Sequence, residues 1–132
     1  MLRTLVIISV VLIAACSSMT TQQRTSDLND SLDRYAAALR WAYYSDALVY
    51  HINRDGKRPE VNLDRLDDFS VTGFEIKKKI LNENQIEAFV SGELVYYSKE
   101  YGTVIKLKLE QNWWYNEEAK HWFIEGGFPD FK

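Results

Sequence analysis

Four segments in the second half of the chain alternate apolar and polar residues, and only a few polar residues separate each segment from the next. The segments are residues 71–81, 86–98, 103–115 and 121–128. Alternation with a period of two is typical of a strand that buries one face. Because the connections are short enough for hairpins, each segment is expected to pair antiparallel with its neighbour in sequence. The pattern therefore predicts a four-stranded antiparallel meander.

The same alternation assigns the strand residues to two faces. The inner face is predicted to carry Phe74, Ile76, Ile80, Ile86, Ala88, Val90, Leu94, Tyr96, Ile105, Leu107, Leu109, Trp113, Trp122, Ile124 and Phe128. The outer face is predicted to carry Glu75, Lys77, Lys79, Glu87, Glu93, Lys106, Lys108 and Glu110. An acidic strand between two largely basic strands places opposite charges side by side, which supports this strand order.

Three residues within the strands depart from simple alternation. Gly73 and Gly92 lie inside strands, where glycine often marks a bulge or a bend, so a strongly curved sheet is expected. Strict alternation would point Lys78 inward. Two interpretations stay open: a β-bulge near Gly73 shifts the phase of the strand, or Lys78 lies at the rim of a pocket.

A helix is predicted before the sheet, with Ser26 as its N-cap. Apolar residues recur every three or four positions, at Leu28, Leu32, Tyr35, Leu39, Tyr43, Ala47 and Tyr50. A second apolar stripe consists of Trp41, Tyr44 and Leu48. Either the helix breaks near Ser45 and its second half packs differently, or this stripe is an interface with a partner, such as a second copy in a homodimer.

The N-terminal segment has the organisation of a secretory signal peptide: Arg3, then an apolar run over residues 5–15 with small residues at its end. The sequence Ile13-Ala14-Ala15-Cys16 resembles the lipobox of bacterial lipoproteins. The resemblance implies that residues 1–15 are removed and that Cys16 receives acyl chains, palmitate among them, which anchor the protein in a membrane. Ser17 after the cysteine implies sorting to the outer membrane, facing the periplasm. Residues 16–25 are then the lipidated cysteine and a flexible tether, and residues 26–132 form one domain.

Composition narrows the classes of partner and chemistry. The net charge is −3, whereas a nucleic-acid-binding protein is expected to carry an excess of basic residues, so nucleic acid is not predicted as a partner. Cys16 is the only cysteine, and no histidine, cysteine and carboxylate spacing indicates a metal site, so neither a metal nor another cofactor is predicted. His51 and Asp46 lie five residues apart and are poorly aligned on one helical face. His51 is therefore predicted to lie on the surface near a helix C-terminus, where the dipole favours it.

A helix followed by a curved antiparallel meander resembles the NTF2-like α+β fold, with cystatin-like folds as near neighbours. The resemblance covers residues 27–128 and implies a helix, broken or continuous, packed on a four-stranded sheet. Members of the family often hold a pocket between the helices and the concave sheet. The residues predicted to face that space are Tyr43, Tyr50, Tyr96, Trp113 and Trp122. They either form plain core or line a pocket for a small apolar ligand.

These observations predict a lipid-anchored protein of the bacterial cell envelope that is not an enzyme. It is expected to act as a binding or assembly module with an envelope protein as its partner. The alternative is a carrier or enzyme for a small apolar ligand, using an aromatic cavity between helix and sheet.

Overall fold

The computed structural model describes the backbone of residues 2–132 and the side chains of residues 20–132. The signal peptide and the lipidated Cys16 predicted from the sequence lie outside the described side chains. The elements in chain order are α1 (Leu2–Arg40), α2 (Tyr44–Leu48), α3 (Leu63–Leu66), β1 (Phe69–Leu81), β2 (Glu87–Ser98), β3 (Val104–Asn116) and β4 (His121–Glu125).

The four strands form one antiparallel sheet in the order β1-β2-β3-β4, which confirms the predicted meander. Helix α1 packs on this sheet, so the α+β class is also confirmed. The apolar stripe of α1 supplies the helix side of the core, because Leu28, Leu32, Tyr35 and Leu39 are all buried. The opposite side of α1, including Asp33 and Arg34, is exposed.

Helix α1 does not begin at Ser26, and residues 20–25 of the expected flexible tether are helical. Contacts with β4 and with the turn between β1 and β2 hold this part of the helix. The Arg24 carbonyl accepts a hydrogen bond from Trp122 Nε1 at 2.9 Å, and its guanidinium donates to the Asn84 carbonyl at 3.3 Å. Thr25 Oγ1 donates to Gln85 Oε1 at 2.7 Å. These tertiary contacts, which local sequence does not reveal, outweigh the capping preference of a serine.

Helix α1 ends at Arg40, slightly before the break predicted near Ser45. The Ala42 N–H donates to the Leu39 carbonyl at 3.3 Å, and the Tyr43 N–H donates to the Ala38 carbonyl at 2.8 Å. This pair of bonds is a Schellman motif, and Ala42 takes the left-handed position usually held by glycine, with φ +59°. The motif turns the chain away from the axis of α1 into α2.

Two β-bulges correct the predicted faces of β1. The register shifts between Val71 and Gly73 and again between Ile76 and Lys78. Lys78 consequently points outward, so it does not lie at a pocket rim; the bulge that turns it is the second one, at residue 77, and not the bulge near Gly73 that the sequence suggested. After the second bulge Lys79 lies opposite the buried Val90, whereas Ile80 is 49 % exposed. The inward assignment of Ile80 and the outward assignment of Lys79 were therefore wrong, and Lys79 Nζ donates to Asn29 Oδ1 on α1 instead.

Gly92 is required by the close approach of β1 and β2. It lies opposite Ile76, and a Cβ added at this position would collide with the carbonyl oxygen of Glu75. A Cβ at Gly73 would meet only the Val95 Cβ, at an ordinary 4.0 Å. Of the two glycines noted inside the strands, only Gly92 is needed for packing.

The two edges of the sheet differ. Residues next to α2 cover the β4 edge, where His51 forms a parallel bridge with Ile124 and the Ile124 N–H donates to the Tyr50 carbonyl at 2.7 Å. The terminal strand β1 carries the two bulges and the run of lysines at 77–79.

Candidate functional site

Four of the five residues predicted to line a pocket belong to the core. Tyr96, Trp113 and Trp122 are at most 1 % exposed and Tyr50 is 8 % exposed, whereas Tyr43 is 61 % exposed. Tyr43 lies outside because it follows the Schellman motif that ends α1. The structure thus separates Tyr43 from Tyr96, Trp113 and Trp122, while Tyr43 and Tyr50 both line a groove on the surface.

Aromatic rings occupy the space between α1 and the sheet. The Tyr35 ring meets the Trp113 ring edge-on, with 5.8 Å between centroids, and the Phe74 ring at 6.3 Å. The Tyr50 ring lies 5.8 Å from Trp113. Phe131 near the C-terminus packs on Tyr96 at 4.8 Å. Phe131 was missed in the sequence because it falls after the last alternating segment, and it closes the core beside Tyr96.

A chain of buried polar groups runs through this aromatic core. Trp113 Nε1 donates to Gln111 Oε1 at 3.2 Å, and Gln111 Nε2 donates to the Tyr35 hydroxyl at 3.2 Å. The Tyr35 hydroxyl lies 2.9 Å from His51 Nε2, and His51 Nδ1 lies 3.4 Å from the Gly126 carbonyl. One assignment satisfies every group: Nδ1 carries the proton and donates to Gly126, while Nε2 accepts from Tyr35.

The prediction of a surface position for His51 was wrong. The chain turns after α2 and runs beside β4, so His51 is fully buried. Burial lowers the pKa of His51 to about 4, against an opposing effect of the Gly126 carbonyl. Burial also raises the pKa of Tyr35, although the hydrogen bond from Gln111 lowers it. The imidazole is neutral and hydrogen-bonded on both nitrogens, and a substrate in solvent has no access to it.

An open groove lies beside the end of α1, and we call it the Trp41 groove. It has a volume of about 430 Å³. Its walls are formed by Arg34, Ala37, Ala38, Trp41, Tyr43, Asp46, Val49, Tyr50 and His121. Trp41 is 71 % exposed and Val49 is 46 % exposed, so apolar surface at this site faces solvent.

One cation and one anion line the groove together with its aromatic walls. Arg34 and Asp46 are both exposed, and neither forms an ion pair within residues 20–132. Burial raises the pKa of Tyr50, and the nearby charge of Arg34 acts in the opposite direction. The His121 ring lies 5.5 Å from Tyr50. The groove can therefore bind an apolar or aromatic group that carries charge of either sign at its periphery.

The predicted interface stripe is divided by the break in the helix. Trp41 lines the groove, but Tyr44 is buried and its hydroxyl donates to the Phe69 carbonyl at 3.0 Å. Leu48 is half-buried. Trp41 is thus available to a partner, whereas Tyr44 contributes to the core.

Residues 20–132 contain no group of three or more His, Cys, Asp or Glu side chains placed to hold a metal ion. In the same part of the chain, no helix has both the length and the hydropathy needed to cross a bilayer. Comparison with protein-family models finds no match, and comparisons with curated proteins and with solved structures find none either.

Proposed function

We propose that this protein is a lipid-anchored module of the bacterial cell envelope that binds a partner through the Trp41 groove and catalyses no reaction. The location rests on the lipobox-like sequence, with Cys16 as the lipidated residue and the periplasmic face of the outer membrane as its destination. The α+β arrangement of helix and meander agrees with an NTF2-like domain as the binding unit.

The observation that carries the binding role is the exposure of two large aromatic side chains beside a groove. Trp41 is 71 % and Tyr43 is 61 % exposed, although the core buries six other Trp and Tyr side chains: Tyr35, Tyr44, Tyr50, Tyr96, Trp113 and Trp122. Trp and Tyr are enriched among the residues that contribute most to protein interfaces. The Schellman motif at Ala42 holds both side chains out of the core, so their exposure is built into the backbone.

The buried polar chain supports a structural role for His51 instead of a catalytic one. A general base must reach the proton it abstracts, but His51 is fully buried and already bonded to Tyr35 and Gly126. Every member of the chain has a partner, which is the condition under which a buried polar network stabilises a unique packing.

The groove lies at the end of α1 that is farther from Cys16. At 1.5 Å per residue, the helix from Thr20 to Arg40 covers about 30 Å. Because residues 20–25 pack on the sheet, α1 from Thr20 onward and the sheet form one body. A partner in the groove would therefore sit at the opposite end of the helix from the lipid.

A small apolar-ligand carrier is the second candidate. Of the five residues first expected to form its pocket, Tyr43 and Tyr50 line the Trp41 groove, whereas Tyr96, Trp113 and Trp122 are buried in the core, so this function would use the groove. A volume of about 430 Å³ falls within the range of about 300–1,000 Å³ typical of small-molecule sites.

The experiment is site-specific photo-crosslinking in cells that express the full chain. A benzophenone amino acid replaces Trp41, and the control carries it at Tyr101, which is 76 % exposed in the connection between β2 and β3. We expect a discrete protein adduct from position 41 in the membrane fraction and none from position 101. Cys16→Ser in the same chain is expected to abolish palmitate labelling.

Each proposal has its own contradicting result. Identical adducts from positions 41 and 101 would rule out the groove as the binding site. Palmitate labelling that persists in Cys16→Ser would contradict the assignment of Cys16 as the lipidated residue. A small-molecule adduct at position 41, detected by mass spectrometry without a protein adduct, would favour the carrier.

A further inference from the structure

We infer that the Trp41 groove binds a second copy of this chain, about a two-fold axis that places the Trp41 ring of each copy in the groove of the other. This inference rests on the proposed binding function and names the partner. The predicted interface stripe of Trp41, Tyr44 and Leu48 cannot serve as a whole, because Tyr44 is buried. The interface inferred here keeps Trp41 and combines it with the other walls of the groove.

The first support is the shape of the surface. In a two-fold interface the same patch occurs on both sides, so a projecting group and its receptor must lie on one patch. Trp41 projects with 71 % of its surface exposed, and it stands at the wall of a groove of about 430 Å³. The walls next to it are the rings of Tyr43 and Tyr50 and the side chain of Val49, which suit an indole ring.

The second support is the charge of the same groove. Arg34 and Asp46 both line it, and neither has an ion-pair partner within residues 20–132, although the Arg34 guanidinium interacts with the Tyr50 hydroxyl in the same groove. A two-fold axis brings Arg34 of each copy towards Asp46 of the other, which gives two equivalent ion pairs. A groove with one charge of each sign complements itself, whereas a groove of a single sign would repel its copy.

The size of the groove indicates a weak dimer in solution. Stable interfaces bury about 1,200–2,000 Å² in total, and smaller contacts are typical of transient association. We expect a dissociation constant on the order of 0.1–1 mM for the chain in solution. Confinement to a membrane by Cys16 would raise the local concentration and favour the dimer there.

The test is sedimentation equilibrium of the full chain in density-matched detergent, up to a protein concentration of about 1 mM. Trp41→Ala is expected to raise the dissociation constant at least about 10-fold, because tryptophans at interface centres are frequent hot spots. The matched control is Tyr101→Ala, which removes an aromatic ring of similar exposure elsewhere and is expected to leave the constant unchanged.

A charge swap tests the two-fold geometry itself. Arg34→Asp and Asp46→Arg are each expected to weaken the dimer, because each variant sets like charges against one another in both pairs. The double variant restores opposite charges and is expected to restore the wild-type constant. Near-ultraviolet circular dichroism of every variant checks that the aromatic core is intact. We expect it to be unchanged, because Arg34 and Asp46 are both exposed.

Three results would overturn the inference. The first is a wild-type chain that remains monomeric at about 1 mM, and the second is a dimer that is insensitive to Trp41→Ala. The third is a double charge variant that stays as weak as the single variants. A monomeric chain whose position 41 crosslinks a different protein in cells would overturn the dimer and leave the binding module standing. The dissociation constant in solution is expected to be the same for the chain with Cys16→Ser, because the proposed interface does not include the lipid.

Discussion

Acidification is expected to weaken the fold through His51. This side chain is fully buried, and burial lowers its pKa from 6.5 to about 4. Between these two values the unfolded chain binds a proton that the folded chain does not. The free energy of unfolding therefore falls as the pH falls, and the contribution of His51 is complete only above about pH 6.5.

The magnitude follows from the two pKa values. At 1.36 kcal/mol per pKa unit, a change from 6.5 to about 4 corresponds to a loss of about 2 kcal/mol at pH 5 and about 3 kcal/mol at pH 4, relative to pH 7.5. A protonated His51 could no longer accept a hydrogen bond from the Tyr35 hydroxyl, so the polar chain would lose a link at the same time.

Urea unfolding followed by tryptophan fluorescence at pH 7.5 and pH 5 measures this loss. Other groups titrate in the same range, so the decisive quantity is the difference between the wild type and His51→Gln, which cannot be protonated. His51→Gln is expected to be less stable than the wild type at pH 7.5, and the gap should narrow by about 2 kcal/mol at pH 5. His121→Gln is the control for removal of a histidine. A gap that stays constant between the two pH values would refute the reasoning.

Two further predictions concern the backbone. Gly92→Ala is expected to destabilise the protein by about 1–3 kcal/mol, because its Cβ would collide with the Glu75 carbonyl oxygen. The control Gly73→Ala meets no such contact, and equal losses in urea unfolding of the two variants would contradict this. Ala42→Gly is expected to stabilise the protein by up to about 1 kcal/mol, because glycine adopts the left-handed conformation of residue 42 without a steric penalty. The control Ala37→Gly, inside α1, should lose about 0.5–1 kcal/mol, and a loss of stability in Ala42→Gly would show that the strain at this position is negligible.

Residue periodicity was enough to predict the sheet, because alternation and short connections leave few other pairings. It also indicated the inner positions of β2 and β3, where Val90, Leu94 and Trp113 are buried. The phase of β1 could not be derived in the same way. A bulge at residue 77 inserts one residue into β1. Only the pairing with β2 shows that Lys79 lies opposite the buried Val90 and that Ile80 faces outward.

The site was harder to predict because it depends on contacts between distant residues. A surface position for His51 followed from its place near a helix end, yet its burial results from the bridge to Ile124. The exposure of Trp41 and Tyr43 depends on a Schellman motif with alanine at the left-handed position, where the sequence offers no glycine as a signal. The start of α1 was missed for the same reason, since the partners of Arg24 and Thr25 lie about 60 residues away or more, in the turn between β1 and β2 and in β4.

The unequal edges of the sheet bear on how copies of this chain behave when they crowd together. An open, regular edge can add strands from other molecules without limit, which produces filaments. Here the bridge of His51 to Ile124 occupies one edge, and two bulges with the lysines at 77–79 interrupt the other. If the proposed lipid anchor holds many copies on one membrane surface, both edges would disfavour growth into open-ended polymers. The proposed dimer would form through side chains of the Trp41 groove and would use neither sheet edge, so it could form at high density without extending into a filament.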